Sequence, residues 1–146
     1  MTYKIIKQDL FKMSYEDYWL AHCVNATYEL GAGIAKTFDE KYNMKYFLRS
    51  LYPQPKDNEA YWVGHALPVG NIFNLVTKIK HWHKPTYENL YKALEDMRRQ
   101  CEKYDIKKLA MPKIGCGLDK LDWNKVESII FDVFNSCDIE IVICYL

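Results

Sequence analysis

Three short runs of this chain are apolar almost without interruption: Tyr18–Val24 (YWLAHCV), Lys108–Pro112 (KLAMP) and Ile139–Tyr145 (IEIVICY). Runs of strand length that lack polar alternation belong to strands covered on both faces, and such strands need helices above and below them. Amphipathic stretches lie between the runs. Ile34–Tyr42 places Ile34, Ala35 and Phe38 on one side and Lys36, Asp39 and Glu40 on the other, and Met44–Leu51 reads as a second short helix stopped by Pro53 and Pro55. Pro85–Lys103 is the clearest helix, with Pro85 in its first turn and an apolar stripe of Leu90, Ala93, Leu94, Met97 and Cys101. Asp122 reads as the N-cap of a helix over Trp123–Asn135. An opening strand is expected at Tyr3–Lys7, and Tyr61–Leu67 and Ile72–Thr77 read as a hairpin turning through Pro68–Asn71. This alternation predicts a three-layer α/β/α sandwich around a central mixed sheet. With 146 residues and no linker or repeat, residues 1–146 are read as one domain.

Charge excludes some partners. The formal net charge is +1 with the signs interspersed, which gives no global reason to expect nucleic acid or a membrane. One local basic cluster stands out (Lys78, Lys80, His81, His83, Lys84); such runs are ordinarily solvated loop faces, but this one could flank a polyanion. The five cysteines are odd in number and show no CxxC spacing, so neither a disulfide framework nor a zinc site is suggested, and Cys144 reads as a buried reduced thiol. His81-Trp82-His83 lacks a third ligand, and no metal is expected. No signal peptide is visible at Met1–Leu10 and no apolar stretch approaches the roughly 20 residues of a membrane span, which points to the cytoplasm. Trp19, Trp62 and Trp123 are read as core residues.

Two strand-to-helix connections carry glycine pairs, Gly31-Ala32-Gly33 and Gly115-Cys116-Gly117. Ligands of open α/β sheets bind beyond the carboxyl ends of the strands, where helix N-termini offer free N–H groups to phosphate and glycine allows close backbone approach. Neither loop matches GxGxxG or the P-loop. Spacing alone reaches a phosphate or nucleotide site and goes no further.

The residues also resemble a known family. LAHCVNATYELGAGIAKTF (Leu20–Phe38), HKPTYENLYKALEDM (His83–Met97), LAMPKIGCGLDKLDW (Leu109–Trp123) and DIEIVICYL (Asp138–Leu146) are similar to the macrodomains, most narrowly to the terminal ADP-ribose protein glycohydrolase branch. The resemblance implies ADP-ribose as ligand. Asp9, with the Leu10 backbone beside it, would take the adenine amino group, and Leu146 would lie near the adenine. Asn25 would line the distal ribose, and Gly31, Ala32, Gly33, Ile34 and Ala35 would wrap the diphosphate and the distal ribose. Pro112, Lys113, Ile114, Gly115, Cys116, Gly117 and Leu118 would form the opposite wall, and Thr77, just before Lys78, would also contact ADP-ribose. Lys78 matches the branch's catalytic lysine and Asp119 the acid that works with it. Two positions depart from the pattern: Gln8 stands where the family has glycine, and Asn25 where close relatives have serine.

The implied activity is removal of ADP-ribose from glutamate and aspartate esters, and deacylation of O-acyl-ADP-ribose, without a cofactor. ADP-ribose and ADP-ribosylated proteins are the implied partners, ADP-ribosylated nucleic acid stays open, and a monomer is expected. The anomeric carbon of the distal ribose is bonded to a carboxylate, already a good leaving group, so the protein must supply a nucleophile and a proton carrier. A lysine amine attacks a sugar carbon or its aldehyde form only when deprotonated, and free lysine has a pKa of ~10.4. Burial or a neighbouring cation must lower it, Lys80 and Lys84 being the candidates, and Asp119 would act as general base. Outside the resemblance, Lys78 reads as a solvated strand-end residue, Asp119 as a helix-start partner and Cys116 as a small residue that fits its loop. An ADP-ribose reader without turnover and an ADP-ribose 1″-phosphatase are the competing functions.

Overall fold

A computed structural model describes residues 1–146. Its elements are β1 (Thr2–Lys7), a 3₁₀ helix (Leu10–Glu16), β2 (Trp19–Asn25), α1 (Gly33–Tyr42), α2 (Met44–Leu51), β3 (Ala66–Val69), β4 (Ile72–Lys78), α3 (Tyr87–Lys103), β5 (Lys108–Met111), α4 (Trp123–Phe134) and β6 (Glu140–Tyr145). One sheet carries all six strands in the order β1-β6-β5-β2-β4-β3. Every pairing is parallel except β3 with β4, so the sheet is mixed, as the alternation predicts.

Period-2 alternation along the central strands builds the two outer layers. From β2, Ala21 joins Leu90, Leu94, Met97, Val126 and Ile130 of α3 and α4. Leu20 and Val24, on the other face of the same strand, instead join Phe38 of α1 and Met44 and Leu48 of α2. Phe38, Phe73 and Phe134 are fully buried, and each stabilises the fold by roughly 1.5–3 kcal/mol. Trp19 and Trp123 pack against the α3/α4 side and Trp62 against the other. Cys144 is buried. No helix is long and apolar enough to cross a membrane.

Two expectations need correction. The strand expected over Tyr61–Leu67 is turn structure through Gly64, and β3 starts only at Ala66. Gly64 has φ +87° and its N–H meets the Val76 carbonyl at 2.8 Å, which turns the chain back onto β4, while Trp62 Nε1 donates to the Pro53 carbonyl instead of facing a pleat. The long helix begins at Tyr87, with the Thr86 hydroxyl accepting from Asn89 N–H, so Pro85 precedes the cap rather than opening the first turn.

One polar pair sits inside the α1/α2 layer. His22 and Asn74, neighbours on β2 and β4, are fully buried, with His22 Nε2 2.6 Å from Asn74 Oδ1. Asn74 Nδ2 donates to the Leu67 carbonyl, so Oδ1 accepts and Nε2 carries the proton. Nδ1 has no partner, and the ring stacks on Phe38 at 3.8 Å. Burial pushes the imidazole down to about 4, against the opposing bond to Asn74. The unfolded chain therefore binds this proton first, and stability present above pH ~6.5 is lost as the pH falls towards 4. Urea titrations from pH 7 to 4 should show about 3 kcal/mol of this loss, and His22→Gln should flatten that slope.

Candidate functional site

The parallel strands end on one edge of the sheet, and the expected site residues lie along it. Asp9 follows β1, Leu146 follows β6, Pro112 follows β5, Asn25 ends β2 and Lys78 ends β4. Along this edge a cleft of about 1080 Å³ opens, the crevice position that open α/β sheets favour.

The first wall is the turn from β2 into α1. Gly31, Ala32, Gly33, Ile34 and Ala35 line the cleft, and Gly33 takes φ +60°. Ala32 is the N-cap and offers no side-chain cap, so the first N–H groups of α1 are left for a ligand. The second wall is the β5-to-α4 connection, where Pro112, Lys113, Ile114, Gly115, Gly117, Leu118 and Asp119 line the cleft. Its turns are closed by Cys116 N–H to the Lys113 carbonyl (3.2 Å) and Leu121 N–H to the Gly115 carbonyl (2.8 Å). The walls meet at the mouth, for a Cβ on Gly33 would sit 3.3 Å from Leu118 Cδ1.

At the β4 end, Lys78 Nζ donates to Asp119 Oδ1 at 2.5 Å and to the His81 carbonyl at 3.0 Å. Both side chains are largely buried, at 13% and 18% exposure. The ammonium of Lys80 is engaged with Glu59 at 3.1 Å. Asn25 lines the cleft with its amide donating to Thr27 Oγ1 (2.7 Å) and the Ile79 carbonyl (3.1 Å).

Asp9, Leu10, Thr77, Cys116 and Leu146 are not brought to the cleft wall. Asp9 caps the 3₁₀ helix through Phe11 N–H at 3.0 Å, Leu10 is buried, and Leu146 is exposed beyond β6. Thr77 is buried on the face opposite to Val76, where it lines an adjoining hollow with Asn89 that shares Lys78, His83 and Lys84 with the cleft. Cys116 packs towards the α3/α4 core, and burial pushes its thiol up. Cys23 does reach the cleft; burial, and then the Asp119 carboxylate, push its thiol up to about 12. Neither thiol is a nucleophile at neutral pH.

Sequence reasoning missed Glu29 and Lys120, gave Trp82 no part in the site, and took His81, His83 and Lys84 as a basic run that could flank a polyanion; all six line the cleft. Glu29 accepts from the Thr27 hydroxyl at 2.6 Å and pairs with His81 Nδ1 across the opening. The Thr27 bond holds its carboxyl below the usual range, partial burial opposes this, and His81 adds to the lowering.

A family model described as "Macro domain" matches residues 21–130. The chain is 42% identical over 139 residues to "ADP-ribose glycohydrolase OARD1" of Homo sapiens, covering 94% of this chain and 88% of that protein. Among solved structures, "Macrodomain of Mycobacterium tuberculosis DarG" superposes with a TM-score of 0.84 at 24% identity, covering 99% of this chain and 98% of that one. "Thermosipho africanus DarTG in complex with ADP-ribose" gives 0.78 at 17% identity, over 99% of this chain and 41% of that one. The two structures show the fold, and the family model with the human relative shows the lineage: the chain belongs to the macrodomain family.

Proposed function

We propose that the protein hydrolyses ADP-ribose from glutamate and aspartate side chains and deacylates O-acyl-ADP-ribose, with Lys78 as nucleophile and Asp119 as acid–base. The observation that carries this reading is the Lys78–Asp119 pair, 2.5 Å apart at one end of a cleft walled by two glycine loops. A site that only binds gains nothing from an ammonium tied to a carboxylate there, because the loop amides and the α1 N-terminus already suit a diphosphate. The likeness to a protein named ADP-ribose glycohydrolase supports the activity, and a related fold solved with ADP-ribose supports the ligand. On this reading ADP-ribose lies along the carboxyl edge of the sheet, adenine towards Asp9 and Leu146 and distal ribose towards Asn25 and Lys78.

Asp119 takes a proton from the Lys78 ammonium. The freed Nζ lone pair bonds to the anomeric carbon as its bond to the carboxylate oxygen breaks, and the electron pair leaves with the carboxylate. Asp119 then gives its proton to solvent and takes one from the attacking water, which displaces the amine and releases ADP-ribose. The test is mass spectrometry of the protein quenched during turnover of an ADP-ribosyl-glutamate peptide. A tryptic peptide containing Lys78 should gain the mass of an ADP-ribosyl group, that is ADP-ribose less one water, and free ADP-ribose should accumulate. Phosphate release from ADP-ribose 1″-phosphate, with the glutamate peptide untouched, would replace this reading by a phosphatase.

A further inference from the structure

Lys78 is fixed at two points, and only one of them is Asp119. The other is the His81 carbonyl, which sits in the irregular segment between β4 and α3. Four rotatable bonds separate a lysine amine from its backbone, so a second anchor decides where the amine rests. That segment is tied to the start of the first wall: Ala26 N–H meets the Lys78 carbonyl at 2.8 Å, and Asn25 Nδ2 meets the Ile79 carbonyl at 3.1 Å. Further out, Asn25 Nδ2 donates to Thr27 Oγ1 and Thr27 Oγ1 to Glu29 Oε1, at 2.7 and 2.6 Å. The far oxygen of Glu29 is shut off from solvent, and it faces His81 Nδ1. A continuous run of contacts thus links Asn25 through Thr27 and Glu29 to His81, and the His81 carbonyl to Lys78 Nζ.

We propose that Glu29 is a positioning residue for Lys78, acting by clasping His81 so that its backbone carbonyl holds the amine in place. The proposal rests on the hydrolase reading for its kinetic consequence, though the placement itself is independent of turnover. Stability is not the purpose of the clasp. The His81 side chain is 64% exposed and the Glu29 side chain 35%, and ion pairs so exposed add little to folding. What the clasp does is join the two segments that flank the reacting end.

The test uses the intact chain with an ADP-ribosyl-glutamate peptide as substrate and free ADP-ribose as binding probe. Glu29→Ala should lower kcat about tenfold, since small misplacements of a reacting group are costly, while ADP-ribose binding changes by less than kcat does. Glu29→Gln keeps an acceptor for Thr27 and a polar partner for His81, and should restore kcat to within about threefold of the parent. His81→Ala should match Glu29→Ala, and the double variant should be no worse than either single, because the two act as one unit. NMR of the Lys78 side-chain amine supplies the readout that needs no turnover: its order parameter should fall in Glu29→Ala and recover in Glu29→Gln. Additive losses, no rescue by glutamine, or an unchanged order parameter would overturn the proposal. An inactive parent protein in which the order parameter still responds as described would leave the clasp standing and sink the hydrolase reading instead.

Discussion

Lys78→Ala is expected to lower kcat for release of ADP-ribose from a glutamate-linked peptide by about a thousandfold or more, while the affinity for free ADP-ribose changes only a few-fold. The lysine is the only nitrogen nucleophile held against Asp119, so its loss removes the attacking pair and the proton path together. The affinity is spared because the glycine walls that suit the diphosphate do not include it. Lys78→Gln separates chemistry from packing, since it can still donate to Asp119 and the His81 carbonyl but cannot attack carbon. It should be as inactive as alanine. Asp119→Asn should cost about a hundredfold or more, the usual range for a lost acid–base group, and steady-state kinetics with isothermal titration checks all three. Turnover that survives in Lys78→Gln would end the covalent mechanism.

The second large effect is expected at Gly115. Its φ is +73°, a region that costs an alanine roughly 1–2 kcal/mol, and an added Cβ would lie 2.8 Å from Cδ1 of buried Leu121. Overpacking of that kind costs roughly 1–3 kcal/mol more. Leu121 has little freedom to yield, because its side chain is buried in the α3/α4 core. Gly115→Ala should therefore lose about 2–5 kcal/mol in urea unfolding and bind ADP-ribose at least tenfold more weakly, since the second wall must move. Gly117→Ala is the contrast within the same loop. A Cβ there meets nothing within 4 Å and no left-handed φ is needed, so stability should stay within about 0.5 kcal/mol.

The layers of this fold could be read from the chain because burial leaves a periodic trace. Uninterrupted apolar runs marked β2, β5 and β6, and the stripe from Leu90 to Cys101 marked α3. Turns driven by single long-range bonds left no such trace. Tyr61, Trp62 and Val63 have strand composition, yet Gly64 bonding to Val76 decides their path. The site divides in the same way. Glycine pairs announced both walls, whereas spacing alone could not connect Lys78 with Asp119, 41 residues away; only family likeness did. Glu29 lies inside a stretch that carries the likeness and His81 outside it, yet neither had a role there, and the two meet only in three dimensions. A pair that no local pattern encodes is visible only once the chain has folded.

The edge of the sheet opposite to the β3–β4 hairpin has a consequence for how the protein comes into being. Thr2–Lys7 pairs with Glu140–Tyr145 along its whole length, and Gln8 N–H extends the ladder to the Tyr145 carbonyl. During translation the first strand leaves the ribosome without its partner, and the sheet cannot be completed on that side until the last strand has been made. Such pairing over nearly the full chain length is slow to form, because the whole intervening loop must close first. Of the sheet's pairings this ladder carries the largest loop-closure cost, and Asp9, just beyond β1, reaches its position with it. The position of Asp9 is therefore tied to the pairing that spans the most chain, whereas Lys78 and Asp119 meet across a much shorter loop.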